Sequence, residues 1–540
     1  YNNEEIVFIL FNITKLMEFS MRSKQTYLFI TVFFSGMTTL AVEFAASRLI
    51  GNVFGTSNIV WACIIGLILI YLTLGYWLGG KCADRSPTEK TFYTILVWAG
   101  FAVGLVPLLA RPVLRLSADA FDQLQMPILF GSFTTVLVLF IIPVTLLGTT
   151  SPFALKLALK DTQTAGVVAG KISGISTLGS FIGTFLSVLV LIPLVGTYRT
   201  FLVFSSIMLV IALIGLWQQV GWRGIIPYLW MPIVIILLSI IGMRGTDKVT
   251  EGLIYETESA YNYIQVLQSG DYRFLRLNEG QGMHSIYHPQ NLNYYGPWSQ
   301  VLVAPYFNTA PHPRSEVERI AMVGLAAGTT ARQAATVYPN VPIDGFEIDP
   351  EIIKIGYEYF GMRLPSLNAI AEDGRWGLAH SDYEYDIISI DAYKPPYIPW
   401  HMTTVEFFNI VRQHLSAQGV MVINVGRSPN DRDLVNALGT TIGQVFPVVF
   451  VMDIPESFNS VIFAATAAEA SWQDFNKNLE MLMEEDTPSL LVEAMKLTTT
   501  GRAVEPEIAQ VFTDDRAPIE WITNRIVLDF VFSDEVESIE

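Results

Sequence analysis

Seven apolar stretches occupy the first half of this 540-residue chain. Each is close to the roughly 20 helical residues that cross the ~30 Å hydrocarbon core of a bilayer. So many long, continuous apolar segments are not typical of a water-soluble protein. The sequence therefore predicts an α-helical transmembrane bundle of about seven spans within residues 25–248. The predicted spans are residues 27–50, 58–80, 91–110, 128–149, 166–196, 198–217 and 225–243.

The segment before the bundle, residues 1–24, is shorter and less apolar. Its Ile6–Phe19 stretch carries Lys15 and Glu18, which favours an interfacial helix over a span or a cleavable signal. The fifth predicted span contains four regularly placed glycines. Such small residues let helices approach closely, so we expect a packing seam rather than a transport path. The glycines are Gly170, Gly174, Gly179 and Gly183.

Charge divides the chain at about residue 250. Residues 1–250 carry 16 Lys and Arg against 10 Asp and Glu, whereas residues 251–540 carry 17 against 40. The acidity of the second half argues against nucleic acid as its partner, because phosphate binding needs a basic face. Two interpretations stay open: the acidity suits a cationic ligand, or it keeps the domain soluble.

The orientation of the bundle is ambiguous in the sequence. Basic residues flank one set of loops, which the positive-inside rule makes cytoplasmic. Five predicted spans separate the loop at Lys81 from the second half, and an odd number places that half outside the cytoplasm. A nucleotide-derived cofactor would be available inside. Either one segment is not a full span, or the domain uses no cytosolic cofactor.

The second half has the patterning of a soluble α/β domain. Residues 251–310 predict a small β region, because Tyr261–Leu267 and Asp271–Asn278 alternate like paired strands. Residues 311–540 alternate strands with helices, which is typical of a Rossmann-like parallel sheet covered on both faces. The predicted elements are strands at Arg319–Gly324, Ile343–Ile348, Asp386–Asp391 and Val420–Val425, and helices at Thr330–Tyr338, Pro350–Phe360 and Thr404–Leu415.

A turn of small residues follows the first of these strands. In such sheets the ligand binds where the first strand meets its helix, and small residues let it approach the backbone. Glu347 ends the next strand, where a carboxylate can accept hydrogen bonds from a ribose diol. Asp373 lies at a position where its side chain could contact the amino group of an adenine. The pattern predicts an adenosine-containing cofactor, bound by Gly324, Ala326, Gly328, Glu347, Asp373 and Gly374.

These motifs, together with Glu258–Tyr261, Asp386–Asp391, Thr403–Phe408 and Asp514–Glu520, resemble the spermidine synthase family. Its members are aminopropyltransferases with an S-adenosylmethionine-methyltransferase-type fold. The membrane half is similar to the membrane-fused branch of that family. The resemblance covers nearly the whole chain, although each motif is short.

The resemblance implies transfer of an aminopropyl group from decarboxylated S-adenosylmethionine to a di- or polyamine such as putrescine. A primary amine has a pKa near ~10, so a carboxylate must bind the cation and take its proton. Asp391 matches the family's catalytic aspartate. Tyr294 or Tyr295 stands near its substrate-facing tyrosine, and Tyr393 follows the catalytic position.

Two positions depart from the family pattern. The turn has Ala327, and the segment after Asp391 has Lys394, where the family carries aspartates. Those acids would help to hold the donor's ammonium. Their replacement, together with the fused bundle, motivates one alternative, an S-adenosylmethionine-dependent methyltransferase acting on a membrane-delivered substrate. The altered glycine turn and the ambiguous orientation motivate another, a non-catalytic membrane scaffold or transporter. The expected partners are the lipid bilayer, a cationic amine and a second copy of the chain; no metal site is visible among the six histidines.

Overall fold

The computed structural model describes residues 24–54, 58–124, 128–159, 161–242, 250–278, 282–393 and 397–532. The chain forms two compact units, residues 1–249 and residues 250–540. The predicted N-terminal segment lies outside the described residues except for Lys24, and Lys394 also lies outside them.

Helices make up the described part of the first unit. Their bounds are α1 (Lys24–Phe54), α2 (Asn58–Arg85), α3 (Glu89–Leu124), α4 (Ile128–Gly148), α5 (Thr150–Ala158), α6 (Ala165–Phe185), α7 (Ile192–Val195), α8 (Thr197–Ile225) and α9 (Trp230–Gly242). A π-helical segment, Leu186–Leu191, joins α6 to α7. Apolar segments of this length fold as helices because only helices satisfy every backbone polar group within the segment.

Among the described residues of this unit, six helical stretches are long and apolar enough to cross a membrane. They overlap the first six predicted spans. These stretches are Gln25–Gly51, Val60–Arg85, Glu89–Leu114, Ser132–Ala158, Ala165–Val195 and Thr197–Tyr228.

The seventh predicted span, residues 225–243, corresponds mainly to α9. Its 13 residues rise only about 20 Å. The helix nevertheless packs along α3, where the ring centroids of Trp230 and Phe101 are 5.1 Å apart. Further on, Ile235 contacts the helix at Gly104. Residues 243–249 lie outside the described residues, so a seventh span stays a prediction.

Glycines bring α1 and α6 into close contact. A Cβ added at Gly179 would lie 2.0 Å from the carbonyl oxygen of Phe33, and one at Gly183 would lie 2.2 Å from that of Met37. At Gly170 and Gly174 a Cβ would meet nothing within 4 Å. Two of the four predicted seam glycines therefore form the seam, and the other two do not contribute to it.

The second unit begins with a four-stranded antiparallel sheet in the order β1-β2-β3-β4. Its strands are β1 (Leu253–Glu258), β2 (Tyr263–Ser269), β3 (Tyr272–Leu277) and β4 (Ser285–Tyr287). The predicted hairpin is present: Ser269 pairs with Tyr272, and Gly270 has a φ of +57° in the turn. A hydrogen bond of 2.9 Å from Asn262 Nδ2 to Asp349 Oδ2 fixes this sheet to the α/β layers.

A seven-stranded sheet forms the centre of the second unit, in the order β10-β11-β9-β8-β5-β6-β7. The strands are β5 (Ile320–Val323), β6 (Ile343–Glu347), β7 (Leu367–Ala371), β8 (Tyr385–Ile390), β9 (Leu415–Gly426), β10 (Val448–Asp453) and β11 (Asn459–Ala465). Strands β5 to β9 are parallel, as predicted. Beyond the predicted parallel strands, the sheet is mixed at one edge, where β11 runs antiparallel to both β9 and β10.

Helices cover both faces of this sheet. Their bounds are α10 (Pro297–Gln300), α11 (Thr329–Val337), α12 (Pro350–Tyr359), α13 (Gly374–Ala379), α14 (Val405–Gln413), α15 (Asp433–Ile442), α16 (Trp472–Glu484), α17 (Ser489–Thr500) and α18 (Ile519–Phe532). Alternate residues of β5 enter two separate cores, Ile320 and Met322 on one face and Ala321 and Val323 on the other. This alternation follows from the two-residue period of a strand.

Candidate active site

The turn between β5 and α11 requires glycine at two positions. Gly324 has a φ of +92° and Gly328 a φ of +84°, in the region that favours glycine. A Cβ at Gly324 would also lie 2.5 Å from the carbonyl oxygen of Asp391. The turn therefore lies directly against the end of β8. Ala326 adopts a φ of +48° between the two glycines.

Glu347 supports this turn from the end of β6. Its Oε2 accepts a hydrogen bond of 2.9 Å from the backbone N–H of Ala326, and its Oε1 accepts one of 3.1 Å from that of Asp349. The residue is only 8% exposed, and burial raises the pKa of its carboxyl group to about 7. The carboxylate thus connects the turn to the start of α12.

Asp373 and Gly374 lie at the start of α13. The Asp373 carboxylate caps the helix by accepting a hydrogen bond of 3.0 Å from the N–H of Trp376. Its Oδ2 lies 3.4 Å from Nε2 of His401, and this neighbour holds the Asp373 pKa below its ordinary value. A Cβ at Gly374 would lie 2.5 Å from Cγ1 of Val323, so glycine permits α13 to pack against β5.

Asp391 follows β8 beside the glycine turn. Its backbone N–H donates to the carbonyl oxygen of Val323 at 2.9 Å. Its Oδ1 accepts a hydrogen bond of 3.0 Å from Nδ2 of Asn424 on β9. Burial raises the pKa of Asp391 to about 6, against the opposing effect of that hydrogen bond. This carboxylate can therefore accept a proton near neutral pH.

The three predicted tyrosines differ in environment. Tyr294 donates to the carbonyl oxygen of Asn291 and accepts from the N–H of His288, so its hydroxyl is occupied by backbone groups. Tyr295 is 66% exposed. The Tyr393 hydroxyl donates to the carbonyl oxygen of Asn424 at 2.9 Å, which holds its ring beside Asp391.

A cavity of about 700 Å³ opens at the carboxyl ends of β5, β8 and β9. This volume is within the range of small-molecule sites. Of the predicted residues, its wall contains Gly324, Ala326, Asp391, Tyr295 and Tyr393. The other predicted residues are not part of this wall; they are Gly328, Glu347, Asp373, Gly374 and Tyr294.

The cavity wall also contains residues that the sequence did not indicate, among them His284, Asn424, Arg427 and Glu456. Asn424 directly follows the apolar stretch Val420–Ile423, near the carboxyl end of β9. A polar residue near the carboxyl end of a parallel strand is a sequence signal that could have indicated a site residue. His284 and Glu456 lie in connections between strands, where sequence periodicity gives no signal. Within the described ranges, no group of three or more His, Cys, Asp or Glu side chains could hold a metal ion.

Three features define a methyltransferase-type α/β domain: the strand order of the central sheet, the glycine turn after β5, and the buried acid Glu347 at the end of β6. No protein-family model matches the sequence. A probable polyamine aminopropyl transferase from Bifidobacterium longum is 34% identical over 299 residues, which cover 52% of this chain and 65% of the relative. A polyamine aminopropyltransferase from Vibrio vulnificus is 30% identical over 280 residues, covering 49% of this chain and 90% of the relative.

The chain belongs to the polyamine aminopropyltransferase family, a family of transferases. Among solved structures, a probable spermidine synthase from Corynebacterium glutamicum is similar at 20% identity and a TM-score of 0.37, covering 49% of this chain and 99% of that one. The two aminopropyltransferase relatives confirm the predicted resemblance to the spermidine synthase family.

Proposed function

We propose that the second unit transfers a 3-aminopropyl group from decarboxylated S-adenosylmethionine to a primary amine of a di- or polyamine. The observation that carries this proposal is the position of Asp391. Its carboxylate, with a pKa of about 6, lies in the cavity wall together with the Gly324 turn. Membership of the aminopropyltransferase family supports the same reaction.

In the proposed reaction the acceptor nitrogen attacks the methylene carbon next to the donor's sulfonium. The new N–C bond forms as the C–S bond breaks, and the C–S electron pair returns to sulfur, which leaves neutral methylthioadenosine. The nitrogen gives its proton to Asp391. A general base works best when its pKa is near the operating pH, and burial tunes Asp391 towards that range.

The charges around the cavity suit a cationic acceptor. Among the described residues of its wall, the carboxylates are Asp391 and Glu456. Arg427 is a cation in the same wall, but its Nε lies 3.4 Å from Asp453 Oδ1, an ion pair that offsets its charge. We propose that Asp391 meets the attacking amine and that Glu456 attracts the distal ammonium of a diamine.

We further propose that the first unit is a multi-pass membrane anchor, supported by the six long apolar helices in its described part. Such a chain stays in the membrane pellet after an alkaline carbonate wash. Release of the full chain into the supernatant would contradict this part of the proposal.

The transfer is tested with the purified full chain in detergent, incubated with decarboxylated S-adenosylmethionine and either putrescine, cadaverine or spermidine. Mass spectrometry should detect methylthioadenosine and the acceptor extended by one aminopropyl group, in equal amounts. Failure to consume the donor with any of these amines, by a chain that binds methylthioadenosine, would contradict the proposal.

Methyl transfer from S-adenosylmethionine is a second candidate, favoured by Ala327. The side chain of this residue is buried and its N–H donates to Ser285 Oγ at 2.9 Å, so the turn offers no acid at this position for the ammonium of a decarboxylated donor. The two candidates differ in donor preference. Tighter binding of S-adenosylmethionine than of its decarboxylated form would favour methyl transfer.

A further inference from the structure

Arg427 brings a positive charge into the wall of the cavity that contains Asp391. It lies three residues beyond Asn424, whose Nδ2 donates to the Asp391 carboxylate. The N–H of Arg427 continues the strand pairing past the end of β9 by donating to the carbonyl oxygen of Phe458 at 2.7 Å. The α-carbons of Asn424 and Arg427 are therefore roughly 10 Å apart. A site for cations alone gains nothing from an arginine at this distance, because like charges repel.

The ion pair between Arg427 and Asp453 offsets only part of this charge. Asp453 Oδ2 lies 2.5 Å from Nη1 of Arg432, and Asp453 Oδ1 accepts a hydrogen bond of 2.6 Å from Ser460 Oγ. The Arg427 Nε is farther from the carboxylate, at 3.4 Å, and makes no hydrogen bond within the part of the chain that the structure describes. Because two arginines share one carboxylate, a positive charge is left over beside the cavity.

The guanidinium of Arg427 also has donors for a further partner. Its Nη1 donates to the carbonyl oxygen of Ser428 and its Nη2 to that of Ser457, each at 3.3 Å. Each terminal nitrogen carries two N–H groups, so these two long hydrogen bonds occupy one N–H on each. Ser457 belongs to the cavity wall, as Arg427 does. A guanidinium with N–H groups on both terminal nitrogens is suited to a carboxylate.

We propose that the acceptor is a diamine that also carries a carboxylate, as the basic amino acids ornithine and lysine do, and that Arg427 binds this carboxylate. The inference rests on the proposed function and names the class of acceptor. The amine at the end of the side chain meets Asp391 and attacks the donor. The α-ammonium meets Glu456, which precedes Ser457 in the same loop, so Glu456 and Arg427 bind the two charged groups on one α-carbon.

Two pairs of acceptors isolate the contribution of the carboxylate. Ornithine differs from putrescine, and lysine from cadaverine, only by a carboxylate on the carbon beside one amine. The experiment measures kcat/KM for all four with decarboxylated S-adenosylmethionine and the full chain in detergent. The variants are Arg427→Met, which removes the charge and the N–H groups, and Arg427→Lys, which keeps the charge. The control, Arg363→Met, removes an equal charge from an exposed residue outside the cavity wall.

In the wild type, kcat/KM should be at least about 10-fold higher for each amino acid than for its matched diamine. Arg427→Met should reduce this ratio by about 10- to 100-fold, Arg427→Lys should retain part of it, and Arg363→Met should leave it unchanged. Methylthioadenosine binding shows that each variant is folded. A wild type that prefers the plain diamines, or a ratio that Arg427→Met does not change, would overturn the inference and leave the proposed function standing. A chain that binds methylthioadenosine but transfers to none of the four acceptors would contradict both.

Discussion

At the scale of single residues, the ionised form of Asp391, the proposed base, reduces the stability of the fold. Burial raises its pKa to about 6, so the folded state binds this proton more tightly than the unfolded state does. Stability from this group is therefore present below about pH 4 and is lost as the pH rises to about 6. Above pH 6 the folded domain contains a carboxylate that has lost part of its hydration.

Asp391→Asn removes this penalty, and the Asn side chain can still accept the hydrogen bond from Asn424. We expect the variant to be more stable than the wild type at pH 8, by at most about 3 kcal/mol for a shift of about two pKa units. The difference should disappear near pH 4. Hydrogen exchange of the β8 and β9 amides in the full chain measures the stability difference between the variant and the wild type. A variant less stable than the wild type at pH 8 would contradict this prediction.

Asn424 positions Asp391 and stabilises its ionised form through the 3.0 Å hydrogen bond. Asn424→Ala removes that bond, so the pKa of Asp391 should rise further above its ordinary value. The lower limb of the pH profile of kcat should then move to higher pH by about one unit. Asn409→Ala, on the exposed side of α14, is the control and should leave the profile unchanged. An unmoved limb in Asn424→Ala would exclude Asn424 as a positioning residue.

The predictability of these residues from sequence depends on where they lie. Asp391 and Glu347 directly follow or end apolar strands, and a parallel sheet brings such positions to one edge, so the pattern indicates both. Tyr294 and Tyr295 are adjacent in sequence, but only the backbone conformation decides which one reaches the cavity. Glu456 lies in the loop between β10 and β11 and has a φ of +53°. Sequence periodicity does not predict this backbone conformation.

At the scale of elements, the contact between α1 and α6 depends on glycine. Gly183→Leu would force a side chain into the carbonyl of Met37, whereas Gly170→Leu would enter open space. We expect Gly183→Leu to destabilise the bundle by about 1–3 kcal/mol or to prevent its folding. Gly170→Leu should behave like the wild type. Equal thermal stability of the two variants in detergent would contradict this account of the seam.

Elements were predictable where the pattern was long or strongly apolar, as in the six helices of spanning length and in β5, β6, β8 and β9. Strand β7 was missed because its five residues are only partly buried or exposed at the edge of the sheet. Strand β11 has an apolar pattern, but its reversed direction and its place between β9 and β10 come from tertiary pairing. Sequence order alone does not determine that insertion.

At the scale of the whole molecule, the two units differ in composition, and each composition suits a different task. The apolar, slightly basic first unit suits an anchor in the lipid bilayer, and the acidic second unit suits cationic substrates. A polyamine is attracted to an acidic domain at long range before any specific contact forms. In the proposed reaction, the chemical step nevertheless depends on one carboxylate within the second unit, that of Asp391.

The most direct test is therefore the pH dependence of aminopropyl transfer by the full chain and by Asp391→Asn. In the wild type, kcat should rise with pH through about 6 as Asp391 loses its proton. In the variant, kcat should fall by about 10²–10⁴-fold and lose this dependence, while methylthioadenosine binding is retained. Transfer by Asp391→Asn at the wild-type rate would contradict the central claim that Asp391 is the base.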